Sequence, residues 1–159
     1  SLGLVGSEMC IRDRLLVAHC GGLDARQEQR LIKAGATWVT DFAPQQWALQ
    51  HADAVVTHGG LNTVMDAIVA RTPMLVMPIA FDQPGVASRV SHAGIGLQLR
   101  RGAGAGQIRE RLTQLRGLST EPFDRLAAEL TNAGGTSRAA DIVEAVVRTG
   151  EPVLAGLVP

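Results

Sequence analysis

The stretch DAVVTHGGLNTVMDAIVARTPMLVMPI, residues 53–79, decides the fold of this protein. Its two apolar runs, residues 53–58 and 72–79, have the length and composition of buried strands. Residues 60–70, between the two runs, repeat apolar side chains with the period of a helix. A strand, a helix and a second strand in this order predict a parallel βαβ unit.

The same alternation continues on both sides of this unit. Further strands are predicted at LLVAHC (15–20), TWVTDF (37–42) and GIGLQL (94–99), with helices at 23–35, 44–51 and 83–92. After Gly106 the pattern is entirely helical, and the last helix is predicted to have Thr136 as its N-cap and Gly150 at its end. We therefore expect an α/β fold, a Rossmann-like parallel sheet with helices on both faces and a helical C-terminal tail.

Composition limits the classes of function. The 159 residues are 46% hydrophobic, enough for one core, and 15 basic residues balance 15 acidic ones. This balance argues against a general polyanion surface or nucleic-acid partner but leaves a local phosphate site open. No apolar run reaches 18 residues, so no transmembrane segment is expected. The two cysteines and the four histidines lack metal-ligand spacing, so we expect no metal site.

The first fourteen residues, SLGLVGSEMCIRDR, show neither helical nor strand periodicity. Nor do they form a signal peptide, because no apolar core follows a basic start. The segment resembles the in-frame translation of a transposase sequencing adapter. We therefore expect residues 1–14 to be a non-native segment outside the fold, and a native disordered tail is the alternative.

The junction between residues 58 and 66 has the chemistry of a phosphate site. Gly59 and Gly60 leave the start of the following helix bare, and the partial positive charge there favours an anion. Asn62, Thr63 and Asp66 are expected on one side of that helix. The opposite stripe is expected in the core; it comprises Leu61, Val64, Met65, Ile68 and Val69.

A purely structural interpretation of this junction also has to be considered. The glycines could form only a tight turn, Asn62 or Thr63 could only cap the helix, and His58 could be bonded to backbone. A second polar pair favours a binding site, because Asp82 and Gln83 follow the next strand and offer the groups that sugar hydroxyls require. For Asp82, the structural alternative is an N-cap before Pro84.

Other features are assigned to structure. GAGAG, within the loop at 100–106, does not complete a dinucleotide fingerprint, because residue 107 is Gln where glycine is required. Trp38 and Trp47 are expected in the core. His19 is expected to have a structural or interdomain role.

The stretch from Asp41 to Val90, with HGGLNT, Asp66 and the pair DQ in their spacing, resembles the nucleotide-sugar signature of UDP-glycosyltransferases built from two Rossmann-like domains. The resemblance extends through AHCGGLD, HAGIGLQL and NAGGTSRAADIVEAVVRTGEPVL to the bacterial zeaxanthin (carotenoid) glucosyltransferases. It covers nearly all of residues 15–155. On this basis, residues 15–159 are expected to be a donor-binding domain without its first strand and without the N-terminal acceptor domain.

The resemblance implies a role for each matching position. The UDP contacts would come from eight residues: Phe42, Gln45, His58, Gly59, Gly60, Asn62, Thr63 and Asp66. Within this set, Phe42 and Gln45 would lie at the uracil and Asp66 at the ribose, a position where relatives usually carry Glu. Asp82 and Gln83 would bind the donor sugar.

The implied reaction is inverting transfer of glucose from UDP-glucose to a hydroxyl of a lipophilic acceptor, without a metal or cofactor. The catalytic base would lie in the N-terminal domain, so no catalytic residue is expected here. Two alternatives are a stand-alone nucleotide-sugar-binding subunit and a sugar epimerase of the same architecture. We expect a cytoplasmic location. A further alternative is that the full-length enzyme lies at the membrane surface as a peripheral protein.

Overall fold

The computed structural model of the protein describes residues 7–11, 14–19 and 22–153. The described part contains six strands: β1 (Ser7–Ile11), β2 (Arg14–Ala18), β3 (Trp38–Thr40), β4 (Ala54–Thr57), β5 (Met74–Val76) and β6 (Gly96–Gln98). It contains seven helices: α1 (Ala25–Lys33), α2 (Gln45–Gln50), α3 (Leu61–Ala70), α4 (Gln83–His92), α5 (Ala105–Leu115), α6 (Glu121–Asn132) and α7 (Gly135–Thr149).

The strands form one sheet in the order β3-β2-β1-β4-β5-β6. Three pairs are parallel, namely β2 with β3, β4 with β5, and β5 with β6. The five strands β2 to β6 each lie inside a predicted apolar run or within one residue of it. Cys20, the last residue of the first run, is outside the described residues. The predicted α/β class, with helices on both faces and a helical C-terminal region, is confirmed.

The expectation that residues 1–14 lie outside the fold is wrong for residues 7–11. They form β1, which pairs antiparallel with β2 from Ser7 to Ile11 and with β4 from Glu8 to Cys10. Strand pairing uses backbone N–H and C=O groups, so a segment without apolar periodicity can still occupy a position between two strands that need partners. The sheet is consequently parallel except at β1.

Buried side chains fill both faces of the sheet. On one face, Val55 and Val76 pack in a core with side chains of α2, α3, α4 and α6. On the other face, Val56 and Leu75 pack in a core that includes Leu115 of α5. Alternate residues of β4 and β5 therefore serve opposite cores, as the period of two along a strand requires.

Helix α3 is rotated relative to the predicted stripe. Its buried residues are Thr63, Val64, Ala67 and Ile68. Three residues that were predicted to be buried are instead 38–56% exposed: Leu61, Met65 and Val69. One residue turns a helix by about 100°. The apolar pattern of α3 was wide enough to fit two orientations, and packing against both the sheet and α2 selected the one that turns Thr63 inward.

Three smaller expectations also fail. Trp38 and Trp47 are 47% and 55% exposed, because they lie on the edge strand and on the outer side of the short helix α2. Thr136 is not the N-cap of α7; Gly134, at φ +78°, takes that position because glycine tolerates the left-handed conformation. Gly150 ends α7 at φ +70°, as predicted.

Candidate functional site

The carboxyl ends of β4 and β5 are adjacent, because the two strands are parallel neighbours in the sheet. Residues 58–60 follow β4 and lead into α3, while residues 77–82 follow β5 and lead into α4. A methyl group built on Gly59 would lie 3.8 Å from the backbone oxygen of Gln83. The two polar groups predicted from sequence therefore meet at one edge of the sheet, where ligands of open α/β sheets bind.

Gly59 is required by the fold itself. Its φ is +87°, and an added Cβ would lie 2.6 Å from Cγ1 of Val76, so a side chain there would be strained and would clash. An added Cβ on Gly60 would lie 2.7 Å from Nε2 of His58. The missing side chain at Gly60 thus makes room for the half-buried imidazole beside the start of α3.

The first turn of α3 is not capped by a side chain. Gly60 is the N-cap, and among the described residues no side chain accepts a hydrogen bond from the first-turn N–H groups. This excludes the interpretation that Asn62 or Thr63 serves only to cap the helix. The first-turn N–H groups therefore keep their partial positive charge and can donate hydrogen bonds to phosphate oxygens.

Thr63, Gln45 and Asp66 form a connected group of hydrogen bonds. The Thr63 hydroxyl donates to Oε1 of Gln45 at 3.0 Å, and Nε2 of Gln45 donates to Oδ2 of Asp66 at 2.7 Å. Thr63 is buried, and the other two side chains are partly buried. The group joins α2 to α3 and fixes the direction of the carboxylate.

Gln46 completes this group, although the sequence analysis gave it no role. Its Nε2 donates to Oδ1 of Asp66 at 3.1 Å, so each carboxylate oxygen accepts one amide hydrogen bond. An ionised carboxylate has about four lone-pair sites, and half of them remain for a ligand. The sequence signal was the doubled glutamine directly after Pro44, but only the position of α2 beside α3 shows what it contacts.

Asp82 and Gln83, the second polar pair, make different contacts. Asp82 is the N-cap residue of α4, as the structural alternative predicted, but its side chain makes no capping hydrogen bond, so its exposed carboxylate is available. Oε1 of Gln83 accepts hydrogen bonds from the backbone N–H groups of Ile79 and Ala80 at 2.8 and 3.0 Å. Gln83 therefore holds the loop after β5, and its two amide hydrogens remain as donors.

Phe81, in the same loop, combines two unusual properties. It is 93% exposed and has φ +58°, a left-handed conformation that is uncommon for a bulky residue. Phe42, on the other side of the site, is 76% exposed and precedes α2. Asn62 is exposed in the first turn of α3. The structure thus leaves two aromatic rings unburied on the loops that frame the site.

His19 does not join the site. It is 2% exposed, and its Nε2 lies 3.0 Å from Oε1 of Glu28 on α1. Its backbone N–H donates to Thr40, which links the ends of β2 and β3. These contacts are structural, which is one of the two roles expected for His19.

Within the described ranges, no group of three or more histidine, cysteine, aspartate or glutamate side chains is arranged to share a metal ion. In the same part of the chain, no helix is both long and apolar enough to cross a membrane.

Comparison with known proteins agrees with the fold. The sheet and its helices place the chain in the Rossmann-like α/β class. The chain belongs to the family described as erythromycin biosynthesis protein CIII-like, C-terminal domain, whose model matches residues 15–147. The match begins directly after the segment 1–14.

Two curated relatives are similar over almost the whole chain. The zeaxanthin glucosyltransferase of Pantoea ananas is 47% identical over 150 residues, which are 92% of this chain and 34% of the relative. That of Pseudescherichia vulneris is 41% identical over 152 residues, 94% of this chain and 35% of the relative. The chain thus spans about a third of the length of these relatives, and it is a glycosyltransferase C-terminal domain close to them in sequence.

Solved structures show the same likeness. The calicheamicin glycosyltransferase CalG4 superposes with a TM-score of 0.72 at 29% identity, covering 86% of this chain and 36% of CalG4. The glycotransferase of kitacinnamycin has a TM-score of 0.70 at 30% identity, covering 81% and 34% of the two chains.

Proposed function

We propose that this domain binds the donor of an inverting glycosyltransferase, and that the donor is UDP-glucose. The observation that carries the proposal is the hydrogen-bonded group of Gln45, Thr63 and Asp66 beside the uncapped first turn of α3. This arrangement offers an oriented carboxylate for ribose hydroxyls and free backbone amides for a diphosphate. The similarity to two zeaxanthin glucosyltransferases supports the choice of donor.

Each part of the donor has a matching group at the site. The uracil lies against Phe42 near Gln45, and the ribose hydroxyls donate hydrogen bonds to Asp66. The diphosphate accepts hydrogen bonds at the start of α3, near His58, Gly59, Gly60, Asn62 and Thr63. The glucose hydroxyls bind Asp82, whose carboxylate is exposed and does not cap α4, and the amide group of Gln83.

The reaction requires one bond to form as another breaks. The acceptor hydroxyl oxygen attacks the anomeric carbon from the face opposite UDP, and the bond from that carbon to the β-phosphate oxygen breaks. UDP leaves with the electron pair, and the hydroxyl proton passes to a base supplied from outside this domain. The start of α3 and His58 offset the charge that develops on UDP, so the proposal requires neither a metal nor a cofactor.

The acceptor is proposed from the relatives' names alone. Two relatives are named zeaxanthin glucosyltransferases, and zeaxanthin is a lipophilic carotenoid with hydroxyl groups. We therefore propose a lipophilic, hydroxylated acceptor bound mainly by another domain, with the enzyme in the cytoplasm and peripheral to the membrane.

The proposal is tested by comparing how variants of Asp66 and Asp82 bind UDP and UDP-glucose. Asp66→Ala should weaken UDP and UDP-glucose equally, since ribose is common to both, whereas Asp82→Ala should weaken UDP-glucose alone. A hydrogen bond to a charged group contributes about 1.5 kcal/mol or more, so each loss should be about tenfold. Dissociation constants from NMR titration of the chain measure this.

Asp141→Ala, at an exposed position of α7, is the control and should bind both ligands like the unmodified chain. Equal losses of UDP affinity in Asp66→Ala and Asp82→Ala would refute the division of roles. If the folded chain does not bind UDP, the donor site itself is refuted.

A further inference from the structure

Positive charge is concentrated in one segment of a chain that has no net charge. Residues 98–116 contain five arginines and a single acidic residue, Glu110, which leaves ten basic and fourteen acidic residues for the rest of the chain. Like charges that are close together repel one another, so this concentration destabilises the free protein to some extent. An arrangement of this kind is typical of a surface that meets an anion.

Three of the five arginines line one cleft, which we call the arginine cleft. Arg100 and Arg101 follow β6, and Arg111 comes from α5; the cleft between them also contacts Gly102 and Gln107 and has a volume of about 390 Å³. A phosphate group and its ester linkage are smaller than this volume. The cleft is therefore large enough for a phosphorylated ligand.

Among residues 15–19 and 22–153, whose side chains the structure describes, the cleft arginines have no carboxylate partner. The ion pairs of that part of the chain are Arg71 with Asp124 and Arg125 with Glu129, and Glu28 contacts His19. Arg111 donates to Oε1 of Gln114 at 3.1 Å, and Glu110 accepts from Nε2 of the same Gln114. The guanidinium charges are consequently not neutralised within the described protein.

The position of the arginine cleft separates it from the start of α3. Both lie at the carboxyl edge of the sheet, but β6 is two strands away from β4. Neighbouring strands are about 4.8 Å apart, so roughly 10 Å of sheet separates the two strand ends. The arginine cleft and the start of α3 are therefore separate places along the same edge of the sheet.

We propose that the arginine cleft is a second anion site that binds a phosphate-bearing group distinct from the donor diphosphate. Guanidinium groups are planar and present paired N–H donors that match phosphate oxygens two at a time, and three of them can surround one phosphate. The group is either a free phosphate ester or the headgroup of an anionic phospholipid, since both present the same oxygens.

Free phosphate is tested by titrating the ¹⁵N-labelled chain with pyrophosphate and following backbone amides by NMR. Shifts of amides 100–107 report the arginine cleft, and shifts of amides 59–63 report the start of α3. The triple variant Arg100→Gln, Arg101→Gln, Arg111→Gln should weaken binding at amides 100–107 at least about tenfold while leaving UDP affinity unchanged.

A matched control removes the same charge elsewhere. Arg26→Gln, Arg30→Gln, Lys33→Gln changes three exposed residues of α1 and should leave pyrophosphate binding at amides 100–107 almost unaltered. Replacing the three cleft arginines by lysine keeps the charge but removes the paired donors, and should give intermediate affinity. Thermal unfolding of all variants verifies that they are folded.

The lipid headgroup is tested by cosedimentation with vesicles of phosphatidylcholine, with and without phosphatidylglycerol. Binding that requires phosphatidylglycerol and is lost in the cleft triple variant, but not in the α1 control, identifies the lipid headgroup. Pyrophosphate binding without vesicle binding identifies a free phosphate ester. The proposal is overturned if neither probe binds, if both triple variants lose binding equally, or if the cleft variant loses UDP affinity in parallel with pyrophosphate.

Discussion

At the scale of single residues, Asp66 is a short carboxylate whose direction is set by its neighbours. The amides of Gln45 and Gln46 each donate to one of its oxygens, and Thr63 in turn fixes the Gln45 amide. An aspartate has a short side chain with few rotatable bonds, so the direction of its carboxylate depends on the two glutamines of α2 that bind it. Gln46 is accordingly a positioning residue for the proposed ribose contact.

Gln46→Leu should weaken UDP binding about two- to fivefold, because an exposed hydrogen bond to a charged group contributes about 0.5–1 kcal/mol. It should also reduce the preference for UDP over 2′-deoxy-UDP, since the carboxylate that accepts from the ribose is no longer fully oriented. The ratio of the two dissociation constants, from NMR titration, measures this preference.

Gln50→Leu provides the comparison, because Gln50 is an exposed glutamine of the same helix, one turn further on. This variant should keep the affinity and the ribose preference of the unmodified chain. An unchanged preference in Gln46→Leu would show that its hydrogen bond does not position Asp66 for a ligand.

At the scale of helices and strands, α6 and α7 differ sharply in how they are packed. Phe123 of α6 is 2% exposed and belongs to the larger core. Helix α7 buries none of its residues, and its apolar stripe remains open, with Val143 61% and Val147 81% exposed. The stability of this domain therefore depends on α6 and hardly at all on α7.

A chain ending at Gly134 should have a free energy of unfolding within about 0.5 kcal/mol of the full chain, because it loses no buried side chain. Phe123→Ala in the full chain should cost about 3–5 kcal/mol through the cavity it leaves. Chemical denaturation monitored by circular dichroism measures both. If the chain ending at Gly134 loses as much free energy of unfolding as Phe123→Ala, then α7 packs against the domain.

At the scale of the whole molecule, β1 is the element on which the continuity of the sheet depends. It is antiparallel to both neighbours and separates β2 and β3 from β4, β5 and β6. Five residue pairs join it to β2 and three join it to β4. Removal of β1 would leave unpaired backbone groups on both sides of a gap about 10 Å wide.

A chain that starts at Leu15 should therefore unfold at a clearly lower temperature, and should self-associate through the exposed edges of β2 and β4. Thermal unfolding and size-exclusion chromatography with light scattering measure the two effects. A monomer that unfolds cooperatively at the original temperature would show that β2 and β4 can close the gap without β1.

From residue 15 onward, the sequence by itself determined the order of strands and helices and which residues of the candidate site lie at strand ends. Apolar runs of strand length, helical periodicity and helix-ending glycines such as Gly150 act over a few residues, so they can be interpreted without knowing the fold. The apolar run before each group also predicted that the Gly59–Gly60 junction and the Asp82–Gln83 pair follow two successive strands. The structure has them there.

Only the tertiary structure decided which distant segments meet. The insertion of residues 7–11 between β2 and β4 depends on backbone pairing, which leaves no side-chain pattern to detect. The inward turn of Thr63 and the bond from Gln46 to Asp66 depend on how α2 packs on α3, some twenty residues away along the chain. Two helix orientations fitted the apolar residues of α3, and the contact with α2 selected one of them.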